Sequence, residues 1–484
     1  MITELPEKNI PGDDLKAAAV QPFSNGPVAR LQSLDTLRGI GLLGGLFISI
    51  WIFGGFSANQ QNGLLLQSKG INYRLWGTIE LFFDGKMRAL VSLVFGAAMI
   101  LSLTNKQYAN KMPGSDRFIR RQMWLMAFGL VNAWIFLWPG DLLFHLGIIG
   151  IFLFPFVRLK ARSLLIAAIV TTLIFSAKNY WNYADDRNAY AKYITVTGVE
   201  KRISKDSLSA AKNGIPARDQ KKDSLSRQQK EDKSAWEGIV SGKKYDPKKN
   251  DEGYKDMRSG SFGKIWNYLL PSVQNNEAQW TYQTGLWDLS GMILLGMALF
   301  KFGFFDSSFA SRKYLLLTLA GLAAGLLLGW FRLQYNQYAL QDYTRFTSRH
   351  RIPFDLFFPI ERAMLALGYA GLALLLMRAG ILKFLWKVFA AVGQMALSNY
   401  LLQSVLCSIF FTGFGMGYFG RLQQYQLYAI VVEMSVIQIV FSILWLRYYY
   451  YGPAEWLLKC LVFKKWLSNK KFQTEVATPS TILS

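Results

Sequence analysis

Residues 391–404, AVGQMALSNYLLQS, decide how this chain is read. Gln394, Ser398, Asn399, Gln403 and Ser404 lie inside a stretch that is otherwise long and apolar enough to cross a bilayer. Polar side chains are costly in hydrocarbon, so they occur there mainly where they face a packed bundle or a watery cavity. Asn399 and Gln403 are four residues apart and share a helix face, with Cys407 next along it. The stretch points to a helix bundle around a polar site at membrane depth, not to a simple anchor.

Working outward, composition says the same. Of 484 residues, 52% are hydrophobic and 15% aromatic, and mean hydropathy is +0.18 despite a long lysine-rich insert. Apolar windows long enough to span a bilayer recur about ten times. They cover 36–57, 82–104, 117–137, 141–158, 163–179, 285–304, 314–331, 355–378, 388–412 and 427–446. The expected fold class is all-α, a polytopic membrane helix bundle of about ten transmembrane helices with a long polar extracytoplasmic insert. Its expected parts are an N-terminal tail (1–33), an N-terminal helical half (34–179), the insert (180–284), a C-terminal half (285–460) and a basic tail (461–484). Residues 1–33 are polar with mixed charges, so no cleavable signal peptide is expected.

The net charge of +23 has two explanations, nucleic acid or membrane. No nucleic-acid module accompanies it, and basic residues at span ends follow the positive-inside bias. The expected partner is therefore the lipid bilayer, with no nucleic acid. Lys106, Lys111, Arg158, Lys160, Arg162, Lys301, Arg312, Lys313, Arg378, Lys383 and Lys387 all fall on one side in a ten-span alternation. That side should be cytoplasmic and hold both termini. The 332–354 loop, with Arg332, Arg345, Arg349 and Arg351, falls on the other side, either as a miscount or as a basic outer rim. The insert is rich in Lys, Asp, Ser and Gln between about 200 and 260, with too few apolar residues for a core, and is expected to be disordered or loosely helical there. Two cysteines, Cys407 and Cys460, give no disulfide framework and no metal spacing, so no metal is expected.

Several polar residues are candidates for chemistry. Asp35 and Arg38 can pair near the start of the first span, either as a helix start or in a phosphate pocket. Asp84, Lys86 and Arg88 open the second span; Asp84 and Arg88 are four apart and can pair, while Lys86 projects elsewhere. Asp141 and His145 are also four apart, so the carboxylate could orient the imidazole as a base. His350, the other histidine, lies in the 332–354 loop. Glu433 sits deep in the last span, while Asp288, Glu361 and Arg362 could rim a central site. For each, a structural role as cap, interfacial anchor or helix–helix tie competes with the functional one. No Walker loop, zinc signature or nucleophile elbow decides between them.

Together, Leu34-Asp35-Thr36-Leu37-Arg38-Gly39, Asp84-Gly85-Lys86, Trp138-Pro139-Gly140-Asp141, Gly393-Gln394-Met395-Ala396-Leu397-Ser398-Asn399 and Gly452-Pro453-Ala454-Glu455-Trp456 resemble the YeiB-like bacterial inner-membrane proteins. The C-terminal half of that family is defined as domain-of-unknown-function family 418. The resemblance implies a bacterial cytoplasmic membrane location and a relation to transmembrane acyltransferases, which pass an acyl group from cytosolic acyl-coenzyme A to an acceptor on the far side. The chain departs from the family pattern at Ser49, where members often carry Asn, and at Asn132, where many carry His. The resulting expectation places donor phosphates on Arg38, Arg120 and Arg121, and an oriented base at Asp141 and His145. Asn399 and Gln403 would hold the acyl carbonyl or acceptor. Acyl-coenzyme A would be a donor substrate, not a resident cofactor, and the acceptor a glycan or small molecule. The alternative is a transporter or flippase lined by the same polar stripe.

Overall fold

The computed structural model describes residues 31–104, 113–212, 225–246, 251–306 and 309–471. Lys106, Lys111 and most of both terminal tails lie outside these residues. Eighteen α-helices run through the described residues. The N-terminal half contains α1 (Gln32–Phe53), α2 (Ala58–Gln67), α3 (Gly70–Phe82), α4 (Lys86–Thr104), α5 (Gly114–Trp134) and α6 (Leu143–Leu153). A long α7 (Ala161–Lys212) follows, then α8 (Arg227–Lys243), α9 (Asp251–Met257), α10 (Phe262–Asn275) and a π-helical stretch at Asn276–Gly285. The C-terminal half contains α11 (Leu286–Lys301), α12 (Ser311–Gln341), α13 (Tyr343–Arg349), α14 (Phe358–Arg378), α15 (Lys383–Gln394), α16 (Ala396–Phe411), α17 (Gln424–Tyr448) and α18 (Pro453–Phe463).

Among the described residues, six helices are long and apolar enough to cross a membrane: Gln32–Phe53, Gly70–Thr104, Ala161–Ser209, Ser311–Gln341, Phe354–Arg378 and Gln424–Tyr448. The apolar helices Leu143–Arg158 and Ala396–Phe411 are shorter. Each window expected to span therefore falls on helix, but the count by length and apolarity is six, not about ten. The reasons are local. Arg117, Arg120, Arg121 and Gln122 lower the hydropathy of α5, α11 has only 16 residues, and the 388–412 window is broken at Met395 between α15 and α16.

Lipid-facing surfaces are evident from what is left exposed. Ile166, Ile169, Val170 and Leu173 on α7, Leu316 and Leu319 on α12, and Val432, Val436 and Val440 on α17 all point away from the protein. Such apolar faces are stable against hydrocarbon, not water. Past its apolar part, α7 continues as a polar rod of 52 residues in all, about 78 Å at 1.5 Å per residue. Once a helix is nucleated, each added residue costs little, which carries it through the charged sequence. The insert does have a small core: Trp236 of α8 packs with Tyr183 of α7 and with Tyr343 and Phe346 of α13. Half of that cluster lies outside the insert, so the insert's composition alone does not reveal it. The 332–354 loop is correspondingly shorter than expected, because α12 carries Arg332 into the buried interior.

Two close helix crossings draw the halves together. A Cβ at Gly39 of α1 would strike the Phe389 carbonyl of α15, and one at Gly393 would strike the Asp35 carbonyl. Likewise a Cβ at Gly96 of α4 would fall on the Ile293 carbonyl of α11, and one at Gly296 on that of Leu93. With no apolar drive between helices in lipid, such small-residue contacts supply much of the packing. Gly296→Leu should therefore lower thermal stability in detergent by at least about 1–3 kcal/mol, the usual cost of overpacking, whereas Leu319→Ala on the lipid face should change it little. An unchanged melting temperature for Gly296→Leu would disprove the close crossing.

Candidate functional site

A cavity of ≈ 480 Å³ opens between the helices. Arg38, Gly41, Leu42, Gly45, Ile48, Ser49 and Ile52 line it, at the three- and four-residue spacing of one helix face. From Arg38 to Ile52 this face extends about 21 Å along α1. An adjoining wall comes from Asp84, Arg88, Val91, Phe95 and Ala98 at the start and along the length of α4, which packs antiparallel on α1. The cavity thus has an Arg38 end and an Asp84 end.

At the Arg38 end, Arg38 donates to Asp35 Oδ1 at 2.8 Å and to the Gly393 carbonyl at 3.4 Å. Arg121 also lines the cavity, with no ion pair to any described residue. Two guanidiniums, Arg38 and Arg121, therefore share this end with the Asp35 carboxylate and the Glu455 carboxyl. Arg120, expected beside them, is instead paired with Asp116 at 3.0 Å and does not line the cavity, because it projects from another face of α5 than Arg121.

At the Asp84 end, Asp141 is buried and lines the cavity. Its Oδ1 accepts from Asn132 at 2.9 Å and its Oδ2 from the Phe144 backbone N–H at 2.8 Å, which ties it to the first turn of α6. Tyr400 of α16 lines the same region, and its hydroxyl accepts from Trp138 Nε1 and the Leu142 N–H. The expected Asp141–His145 pair does not form. His145 Nε2 lies 3.0 Å from the Asn276 carbonyl, and the ring packs edge-on to Trp280 at 4.8 Å, behind the cavity wall. Both carboxylate oxygens of Asp141 point to α5 and its own helix start, so the four-residue spacing brings no side-chain pair. His350 is remote, stacked on Phe346 in the aromatic cluster of the insert.

Asp84 and Arg88 do not pair either. Arg88 Nη2 reaches Asp288 Oδ2 at 3.1 Å, while Arg362 grips Asp288 at 2.6 and 2.8 Å. Beside them Lys86, fully buried, meets Glu361 at 2.7 Å; Glu361 also takes Arg332 at 2.8 Å, and Arg332 reaches Glu80 at 3.0 Å. Seven charges thus form two adjoining buried clusters, joined by the sequence neighbours Glu361 and Arg362. Within them Arg88 alone reaches the cavity, with its side chain 35% exposed.

Gln403 lines the cavity and donates to Gln438 at 3.0 Å; Gln438 donates in turn to the Asn399 carbonyl at 3.2 Å. Asn399 faces away from the cavity, binding the Val392 carbonyl at 3.2 Å and Ser442 at 2.8 Å, so it joins α15, α16 and α17. Glu433 is exposed on the outer face of α17, away from the other polar groups. Glu455, Tyr400, Asn276 and Trp280 were not singled out from sequence as site residues, yet all four line the cavity. Glu455 and Tyr400 do lie within the quoted motifs, and Trp280 is among the aromatics at the insert's end. Glu455 accepts from the Leu397 and Ser398 N–H groups at 2.6 and 3.2 Å and from the Ser398 hydroxyl, capping α16 where the chain breaks. The 394–399 and 452–456 motifs are therefore the two sides of one contact. Burial pushes the Glu455 carboxyl above the ordinary range, against the lowering effect of those hydrogen bonds.

Two outcomes follow. Asp288→Asn leaves Arg362 and Arg88 without a counter-charge and should cost about 3–5 kcal/mol, as removal of one buried partner does, seen as a lower melting temperature in detergent. Because the Glu455 carboxyl is raised in the folded state, its stabilising effect is present below the unfolded value and lost as pH rises through the folded one. Glu455→Gln should then gain stability relative to the wild type as pH rises above the ordinary carboxylate range; a difference that stays constant as pH rises contradicts the assignment.

Comparison with known proteins places the chain. Residues 299–465 match the family described as "Protein of unknown function (DUF418)". The "Uncharacterized protein YxaH" of Bacillus subtilis (strain 168) is 25% identical over 443 residues, covering 90% of this chain and 95% of that protein. The "Uncharacterized protein YeiB" of Escherichia coli (strain K12) is 25% identical over 437 residues, 89% of this chain and 96% of its own length. An "Uncharacterized 39.9 kDa protein in amylase 3'region" of Bacillus acidopullulyticus is 35% identical over 109 residues, 22% of this chain and 30% of that one. No solved structure matches. With a DUF418 region at 299–465 and similarity to YxaH and YeiB along about nine-tenths of its length, the chain is similar to the YeiB-like DUF418 proteins.

Proposed function

We propose that this membrane protein is an acyltransferase-like enzyme that moves an acyl group from cytosolic acyl-coenzyme A to an acceptor on the far side of a bacterial cytoplasmic membrane. The observation that carries the reading is the cavity itself, running along α1 from an end lined by Arg38, Arg121 and Glu455 to an end holding Asp141. In this reading the shorter helices α5, α6, α11 and the α15–α16 pair also cross the bilayer, making about ten spans with both termini cytoplasmic. The Arg38 end then faces the cytosol.

Arg38 and Arg121 hold the donor's phosphates, and its thioester arm lies along the apolar middle of the lumen. The acceptor's hydroxyl or amine attacks the thioester carbonyl carbon, a new C–O or C–N bond forms, and the C–S bond breaks to release coenzyme A thiolate. Asp141 takes the acceptor's proton and returns it to the thiolate. Gln403 offers its amide to the acyl oxygen, while Asn399 positions it through Gln438. A second reading, a carrier for an anionic solute or lipid precursor, draws support from the break at Met395, since discontinuous helices mark many transporter sites.

Purified protein in liposomes given labelled acyl-coenzyme A should release coenzyme A and label an acceptor. Asp141→Asn should lower kcat by about 10²–10⁴, and Arg121→Ala should mainly raise KM for the donor. No coenzyme A release by the wild type, with uptake of unmodified solute, would replace this reading with the carrier.

A further inference from the structure

The turn before α4 presents Asp84-Gly85-Lys86, and the fold accounts for two of the three. Gly85 has φ +69°, and a Cβ there would strike the Arg362 side chain, so glycine is required. Lys86 is fully buried on Glu361. Asp84 has no such side-chain role: its backbone N–H donates to the Ile79 carbonyl at 3.2 Å, while its carboxylate lines the cavity and makes no hydrogen bond or ion pair with any described residue.

Its natural partner stands one helical turn away. Arg88 would ordinarily pair with Asp84 at this spacing, but Asp288 draws its guanidinium aside. What remains toward the lumen is a carboxylate with no direct partner, with Asp141 lining the same end; Lys86 and Arg332 act on it only from a distance, both being bound to Glu361. The ring of Trp138 also lines this end, a surface that attracts cations, and the Trp280 ring beside it already carries the Arg88 guanidinium at 5.4 Å from its centroid. A bare carboxylate in an otherwise largely apolar lumen is costly unless something positive joins it. A metal ion is a poor match, because the described residues hold no group of three His, Cys, Asp or Glu side chains suited to one.

We infer that the Asp84 end of the cavity binds a primary ammonium group, with Asp84 as its counter-ion. The inference goes beyond acyl transfer, since a carrier lumen would use the same contact; under acyl transfer it makes the acceptor an amine.

The test compares cyclohexylamine with its isostere cyclohexanol, titrated calorimetrically into the full-length protein in detergent near neutral pH. The amine should bind at least about tenfold more tightly, the lower range for a close desolvated charge pair. Asp84→Asn should abolish that preference with thermal unfolding unchanged, and Asp84→Glu should keep it. Glu433→Gln, on the outer face of α17, should leave it intact. Equal affinities in the wild type, no measurable amine binding, or a preference that survives Asp84→Asn would each overturn the inference. Because no acyl donor is present, these results are independent of whether acyl transfer occurs.

Discussion

Charges withdrawn from water must find opposite charges, and the architecture follows from how this chain meets that demand. Arg362 and Arg88 converge on Asp288, and Lys86 and Arg332 on Glu361, so α3, α4, α11, α12 and α14 are fixed to one another by groups that cannot be left single. Lipid supplies no apolar drive to press helices together. Electrostatic closure therefore sets which helices meet, and the glycine crossings set how closely. The cavity lies where these two constraints stop, between α1 and α4, with Arg88 belonging to both the network and the lumen.

Much of this was legible in the residues. Length and apolarity located α1, α4, α5, α6, α11, α14 and α16, though not α3, α18 or the stretch with Asn276 and Trp280, and the polar stripe in 391–404 pointed to an interior site. Asp84, Lys86, Arg88, Asp288, Glu361 and Arg362 were recognised as costly at such depth, and five of these six do meet in the buried clusters. Their partners were not legible. Spacing along one helix suggested Asp84 with Arg88 and Asp141 with His145, yet the actual partners come from other helices. A stronger distant pair outcompetes a local one, as when Arg88 turns to an Asp288 already shared with Arg362. Exposure of a lone acid was equally invisible: Glu433 reads as deep by position, but its direction depends on helix rotation, which hydropathy alone does not define.

The break between α15 and α16 shows how motif and structure explain each other. The bare N-terminal amides of α16 would be an anion site if left open. Glu455 fills that place from a segment more than fifty residues further on, and Gly452 is small because Ser398 and the Glu455 carboxyl lie against it. An anionic ligand entering from the Arg38 end thus meets guanidiniums, not helix amides.

The unbroken rod of α7 has a mechanical consequence. Its apolar half lies against lipid, and its polar half grips α8 and the aromatic cluster with α13. With no hinge between those halves, a tilt at the hydrocarbon boundary becomes a wide lateral sweep at the far tip. The α8–α13 aromatic cluster then moves together with any tilt of α7.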